Sequence, residues 1–204
     1  TGSTLGIIGL GRIGKQVAKR AAGFDMRILY HNRRRDEAAE RELGVEYRTL
    51  DDILSESNFV TLNCPLTDET RGLIGKPQFA RMKPTGILIN LARGPVVDHA
   101  ALYEALSQSR IAAAAMDVTD PEPLPRDHPL LALPNLIITP HLGSASDRTR
   151  RRMAEMAIEN LLAGLAGFWL TRQTIHVMTL GGLALAGGTL VDQPRLGMPH
   201  AHPP

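Results

Sequence analysis

Residues 5–14 read Leu5-Gly6-Ile7-Ile8-Gly9-Leu10-Gly11-Arg12-Ile13-Gly14, and the reading of this stretch decides the fold. An apolar run of strand length, Leu5 to Leu10, leads directly into glycines spaced G-x-G-x-x-G. Behind them Gly11 to Phe24 puts Ile13, Val17, Ala21 and Phe24 on one helical face. A strand that turns on glycines into a helix is the context in which this spacing becomes specific for a dinucleotide. Gly9 permits the tight turn, Gly11 lets a pyrophosphate approach the backbone, and Gly14 lets the helix pack closely on the strand. The helix N-terminus adds free N–H groups for phosphate oxygens.

Outward from this unit, short apolar runs recur: Met26 to Tyr30, Val45 to Tyr47, Phe59 to Asn63, Gly86 to Leu91, Ala112 to Val118 and Leu136 to Thr139. Helix-forming segments separate them, Asp98 to Ser107 being the clearest. Near-continuous apolar strands alternating with helices predict an α/β fold, a doubly wound parallel sheet covered on both faces. From Ser144 a long helix follows, with Ser144 and Asp147 spaced as a capping box and Met153, Met156, Ala157, Asn160, Leu161 and Leu165 as its stripe. Arg148, Arg150, Arg151 and Arg152 read as its solvated face. The expected organisation is a dinucleotide-binding domain over 1–143, a long helix over 144–167 packing on it, and an irregular tail over 168–204. His200 and His202 in that tail are too few ligands for a metal site.

The 204 residues are 43% hydrophobic and suffice for a sizeable core. With 23 Lys+Arg against 21 Asp+Glu and only 4% aromatic residues, neither a polyanion partner nor a base-stacking platform is expected, so nucleic acid is excluded as a ligand. The single cysteine, Cys64, rules out an intrachain disulfide and a cysteine-based zinc site and reads as a buried thiol. No apolar run reaches bilayer length, so no membrane is expected, and cytoplasmic localisation is the default.

The end of the second strand selects the cofactor. A site for NAD normally carries an acid there, about 20 residues past the glycines, to bond the ribose 2′-OH. Here the chain reads His31-Asn32-Arg33-Arg34-Arg35. Asn32 stands where the acid is expected and removes its repulsion of a 2′-phosphate. The guanidinium of Arg33 or Arg34 suits that phosphate. NADP(H) is therefore the preferred cofactor, with NAD(H) possible. The plainer reading is that the arginines open a solvated helix beside Asp36 and Glu37.

Ligands of open α/β sheets bind beyond the carboxyl ends of the strands. Three polar residues stand just after strands: Arg93 in Asn90-Leu91-Ala92-Arg93-Gly94, Glu122 in Asp117-Val118-Thr119-Asp120-Pro121-Glu122-Pro123, and His141 in Thr139-Pro140-His141-Leu142-Gly143. A planar guanidinium matches a carboxylate, an imidazole donates a proton near neutral pH, and a carboxylate beside the imidazole orients it. Together they suit the reduction of a keto acid. Singly, each also reads as an ordinary loop residue. Asp117 is open between capping a turn and binding a nicotinamide carboxamide.

At these residues the sequence strongly resembles the D-isomer-specific 2-hydroxyacid dehydrogenases, and among them the glyoxylate/hydroxypyruvate reductases. The resemblance runs from about Thr4 to Gly167, through the glycine fingerprint, Asn63-Cys64-Pro65-Leu66-Thr67, Asn90 to Asp98, Asp117 to Pro125 and Pro140 to Ser144. It implies a Rossmann-like domain in which Arg93 binds the substrate carboxylate or carbonyl, His141 is the acid/base and Glu122 is its partner. It further implies that Arg12 and Ile13 touch the pyrophosphate and that Pro65 and Leu91 line the cofactor groove. Asp117 would meet the nicotinamide end, and Gly143 would lie by the cofactor. The activity implied is NADPH-dependent reduction of glyoxylate to glycolate and of hydroxypyruvate to D-glycerate; related members reduce 2-ketogluconate. Homodimers through the cofactor domain are common in such proteins. The family's second, substrate-binding lobe is expected to be largely absent from this chain. The alternative function is thus a catalytically weak or inactive dinucleotide-binding module.

Overall fold

The computed structural model describes residues 2–171. Its strands are β1 (Thr4–Ile8), β2 (Arg27–His31), β3 (Glu46–Tyr47), β4 (Phe59–Leu62), β5 (Ile87–Asn90), β6 (Ala113–Met116) and β7 (Leu136–Ile138). The helices are α1 (Arg12–Ala21), α2 (Glu37–Leu43), α3 (Leu50–Glu56), α4 (Lys76–Arg81), α5 (His99–Ser107) and α6 (Asp147–Thr171). All strands run parallel in the order β3-β2-β1-β4-β5-β6-β7. This is the Rossmann-like doubly wound α/β sheet expected from the sequence. The order reverses between β1 and β4, which opens a crevice at their carboxyl ends.

Side-chain alternation along each strand sorts the core into two clusters, one per sheet face. Leu5 and Ile7 of β1 and Ile28 and Tyr30 of β2 meet Ala18 and Ala21 of α1 and Ala39 of α2. On the opposite face Ile8, Leu29, Val60, Leu62 and Leu88 meet Ile53 and Leu54 of α3, Phe79 of α4, and Leu102 and Leu106 of α5. Gly6 lets α3 come down onto β1, because a Cβ there would strike the Ser57 and Ile53 side chains.

Within residues 2–143, coverage of the two faces is uneven. The parallel register aligns Ile87 and Ile89 of β5, Ala113 and Ala115 of β6 and Ile137 of β7 with Leu5 and Ile7 of β1. On that face Ile87, Ile89, Ala113 and Ala115 are only half-buried and Ile137 is 67% exposed. The reason is geometric: α1 and α2 pack over the β1–β2–β3 side, as their shared core cluster shows.

Most strands end short of their apolar runs, because the last apolar residues, such as Leu10, Leu91 and Val118, already belong to the turns. α1 also ends early. Residues Ala22–Phe24 tighten into a 3-10 turn, which rotates Phe24 off the expected inner face and leaves it 70% exposed. Ile13, in the first turn of α1, is 64% exposed as well, so the expected stripe keeps only Val17 and Ala21 against the sheet.

The chain divides into two compact units between Gly143 and Ser144. In the second, α6 begins at Asp147 rather than Ser144. Ser146 supplies the cap, accepting from Thr149 N at 3.3 Å, so the expected Ser144–Asp147 box does not form. α6 continues through Gly167 to Thr171, since one glycine costs a helix only about 1 kcal/mol. Met153, Leu161 and Leu165 of its stripe are exposed. Arg152 pairs with Glu155 and Glu159. The remainder of the expected irregular tail, including His200 and His202, lies outside the described residues.

Candidate active site

The glycine loop has the shape its sequence requires. Gly9 sits at φ +98°, and a Cβ there would meet Cys64 N at 2.5 Å. Gly14 lies directly against the Gly9 carbonyl and has no room for a side chain, whereas Gly11 faces open space. Gly11 is also the N-cap of α1. It offers no side-chain cap, and no acid occupies the first turn, so the helix presents its positive end uncompensated. These are the requirements for seating a pyrophosphate.

Asn32 reaches back to this loop: Leu10 N donates to Asn32 Oδ1 at 2.7 Å. Of the three arginines that follow, Arg35 is bound to Glu40 by two bonds of 2.8 and 2.7 Å. Glu40 in turn accepts from the fully buried Tyr30 hydroxyl at 2.7 Å. Arg35 first, then Tyr30, hold the Glu40 carboxyl down at about 2. Burial is the main cause pushing the Tyr30 phenol up to about 12. Asp36 caps α2 through Ala39 N and pairs with Lys15 at 2.7 Å. Arg33 and Arg34 are exposed, and among the described residues neither enters an ion pair. Glu69, held below its ordinary range first by the Thr67 hydroxyl, also feels the charge of Arg33.

At the far end of the sheet the structure joins two of the three strand-end residues. His141 Nδ1 lies 2.7 Å from Glu122 Oε1, with both side chains open to solvent at 48% and 39% exposure. The loop bearing Glu122 has cis bonds at Asp120–Pro121 and Glu122–Pro123. His141 itself has φ +53°, a region that non-glycine residues enter at a cost of about 1–2 kcal/mol. Asp117 offsets that cost. Its Oδ1 accepts from Leu142 N at 2.7 Å and Thr139 Oγ1 at 2.6 Å, and its Oδ2 accepts from Gly143 N at 2.8 Å. Burial opposes its charge, but these three bonds and the nearby His141 leave its carboxyl below the ordinary range. Of the two roles open for Asp117, the turn is therefore the one visible here.

Arg93 is half-buried in an extended conformation, and its guanidinium donates to Ala92 O at 2.7 Å. No hydrogen bond or ion pair links it to Glu122 or His141 among the described residues. Two residues not singled out from the sequence place it. The fully buried Asn90 donates to Arg93 O at 3.0 Å and accepts from Ala92 N at 3.0 Å. Gly94 packs against the Thr119 carbonyl, with its absent Cβ 2.7 Å from Asp120 N, so the Arg93 turn and the Glu122 loop cross in contact. The signal for Gly94 was its place directly after Arg93; Asn90 offered none beyond being polar at the end of an apolar run.

Because all strands are parallel, the segments that follow them lie along one edge, and Pro65, Leu91 and Leu142 are exposed there, together with Ile13. Apolar side chains open to solvent beside a polar pair are the usual lining of a ligand cleft. Arg12 is exposed in the first turn of α1. Cys64 is buried, which pushes its thiol pKa up. Among the described residues no group of three His, Cys, Asp or Glu side chains is placed to hold a metal ion, and no helix is long and apolar enough to cross a membrane.

Comparisons with known proteins identify the family and the fold. The chain is 57% identical over 162 residues to a glyoxylate reductase of Korarchaeum cryptofilum, covering 79% of this chain and 49% of that protein. It is 52% identical over 165 residues to a glyoxylate/hydroxypyruvate reductase B of Serratia proteamaculans, covering 80% and 51%. The crystal structure of a D-lactate dehydrogenase with NAD+ from Lactobacillus jensenii superposes with a TM-score of 0.75 at 35% identity, over 81% of this chain and 53% of that one. The chain thus spans about half the length of the relatives it matches. Residues 1–143 match the model of the D-isomer specific 2-hydroxyacid dehydrogenase NAD-binding domain, and it is to this family that the chain belongs.

Proposed function

We propose that this chain is the cofactor-binding and acid/base half of an NADPH-dependent cytoplasmic reductase. It converts a small 2-keto acid, glyoxylate or hydroxypyruvate, to the D-2-hydroxy acid. The observation that carries the reading is the 2.7 Å contact between His141 and Glu122 on the same sheet edge as an uncapped glycine loop. A nicotinamide dinucleotide, when bound, supplies the hydride.

The chain's own residues do the rest. Glu122 engages His141 Nδ1, which leaves Nε2 to carry the proton donated to the oxygen on C2 of the keto acid. Arg93 binds the substrate carboxylate or carbonyl through its planar fork. Gly9, Gly11, Gly14, Arg12 and Ile13 seat the pyrophosphate; Pro65, Leu91, Asp117 and Gly143 border the remaining cofactor. Asn32, Arg33 and Arg34 favour NADP(H), with NAD(H) as the poorer cofactor. The domain over 1–143 is followed by the helix α6, and the assembly is a homodimer.

The solvent exposure of His141 and Glu122 supports a second reading, a dinucleotide-binding module with little turnover, because an open site does not strengthen its electrostatics by excluding water. Two measurements decide. In a cofactor titration NADPH binds more tightly than NADH; the reverse order overturns the cofactor assignment. NADPH absorbance falls on addition of glyoxylate or hydroxypyruvate, and His141→Asn abolishes that fall while leaving NADPH affinity nearly intact. Loss of both gives His141 a structural role, and no turnover by a form of the protein that carries a substrate lobe leaves the module.

A further inference from the structure

His99 is the first residue of α5, a few positions after the turn of Arg93, and its side chain lies against the loop that leads to Glu122. Both of its ring nitrogens are buried and neither has a hydrogen-bond partner, although a neutral imidazole carries one donor and one acceptor. The titratable groups that face the ring among the described residues are His128, Asp120 and Asp98. His128 meets it edge-on, with ring centroids 6.2 Å apart and planes at 78°. Its Nδ1 accepts from Leu130 N at 3.3 Å, so its other nitrogen carries the hydrogen and it has no acceptor to offer. Asp98 is engaged in capping α5: its Oδ1 accepts from Ala100 N at 2.9 Å and from Ala101 N at 3.1 Å. Asp120 stands two positions before Glu122, and both its backbone and its charge act on the ring.

We infer that His99 is a positioning residue for the Glu122–His141 pair: a neutral ring leaves the Asp120–Glu122 loop where the 2.7 Å contact forms, and a proton on the ring draws Asp120 toward α5 and releases that contact. This rests on the acid/base reading above and adds what controls the pair. Burial and His128 hold the pKa of His99 below the ordinary histidine value, so the ring is neutral at pH 7. Protonation turns it into a double donor, and a buried charged donor without an acceptor is unstable. The first turn of a helix makes the proton costlier still, because the positive end of the dipole opposes a cation. An acceptor must come to the ring. Asp98 is held by the cap and the free lone pair of His128 is taken by Leu130, which leaves Asp120. The loop does not slide as a whole, because the Thr119 carbonyl is packed against Gly94. With Thr119 fixed, a shift of Asp120 turns the residues that follow it, and Glu122 moves with them.

The test is NMR of the unaltered chain and of Glu122→Ala as pH falls from 8 to 5, following the Cε1–H signal of His99. Coupling is reciprocal, so a contact that His99 protonation breaks must itself oppose that protonation. Glu122→Ala frees the loop and raises the proton affinity of His99 about fivefold, the lower end of coupling between sites. Removal of a nearby negative charge, acting alone, would lower that affinity, so the sign separates the two effects. An unchanged or lowered affinity overturns the inference, as does a His99 ring that takes up no proton before the chain unfolds. The backbone N–H signal of Glu122 gives a second reading. In the unaltered chain it shows a step at the His99 midpoint, which His99→Gln removes while the step shared with His141 stays. Persistence of the His99 step in that variant overturns the inference, and should His99→Gln not fold, the Glu122→Ala measurement decides. Neither reading needs turnover. Their failure leaves the acid/base reading standing, which the turnover of His141→Asn tests separately.

Discussion

Asp117 shows how much of the site depends on one side chain. Three hydrogen bonds from Thr139, Leu142 and Gly143 converge on its carboxylate, and they hold the turn in which His141 adopts a left-handed backbone. Asp117→Asn keeps the shape but turns an NH2 group toward at least one of these donors. The expected result is a loss of about 1–3 kcal/mol in urea unfolding. Turnover falls more than NADPH affinity, because the His141 turn loosens while the glycine loop is untouched; equal losses in both would show that Asp117 serves the cofactor instead. Arg93, Glu122 and His141 were recognisable as single residues because each is polar and directly follows an apolar strand run. The choice between the two roles of Asp117 was not, since a strand-end acid looks the same in sequence whichever groups it faces.

At the scale of elements, the crossing of two turns matters more than any strand. Gly94 lies under the Thr119 carbonyl, and the turn of Arg93 and the loop of Glu122 meet there. A methyl group at this position has nowhere to go without moving one of the two loops. Gly94→Ala is expected to cost about 1–3 kcal/mol in denaturant unfolding, as overpacking does. Gly11→Ala, where the added carbon meets open space, is expected to unfold nearly as the unaltered chain does. Equal stability of the two variants would show that the loops yield freely. The helices and strands themselves were legible from periodicity, but their ends were not. Phe24 fits the inner face of a regular helix and leaves it only because the last turn tightens, and Ser146 takes the cap of α6 that spacing assigned to Ser144.

For the whole molecule, acid is the condition that tests the packing around α5. His99, at its first turn, is half-buried, and neither ring nitrogen has a hydrogen-bond partner. Burial first, then the neighbouring His128, lowers its pKa, against the opposing pull of Asp120 and Asp98. The unfolded imidazole titrates near 6.5, so the unfolded chain takes up a proton that the folded chain resists. Stability is therefore full above that pH and declines as pH falls through it toward the lower folded value. Melting curves from pH 8 to 4 should show a steeper acid decline for the unaltered chain than for His99→Gln; parallel curves would place the acid sensitivity elsewhere. By itself the sequence determined the parallel doubly wound sheet, the dinucleotide loop and the edge where polar residues collect. Hydrophobic period and glycine spacing are local properties of the chain, and they suffice for these. Tertiary structure alone decided that His141 meets Glu122, nineteen positions away, and that Asn32 turns its oxygen to Leu10. Each of these depends on register and side-chain direction between segments distant in sequence, which periodicity does not encode.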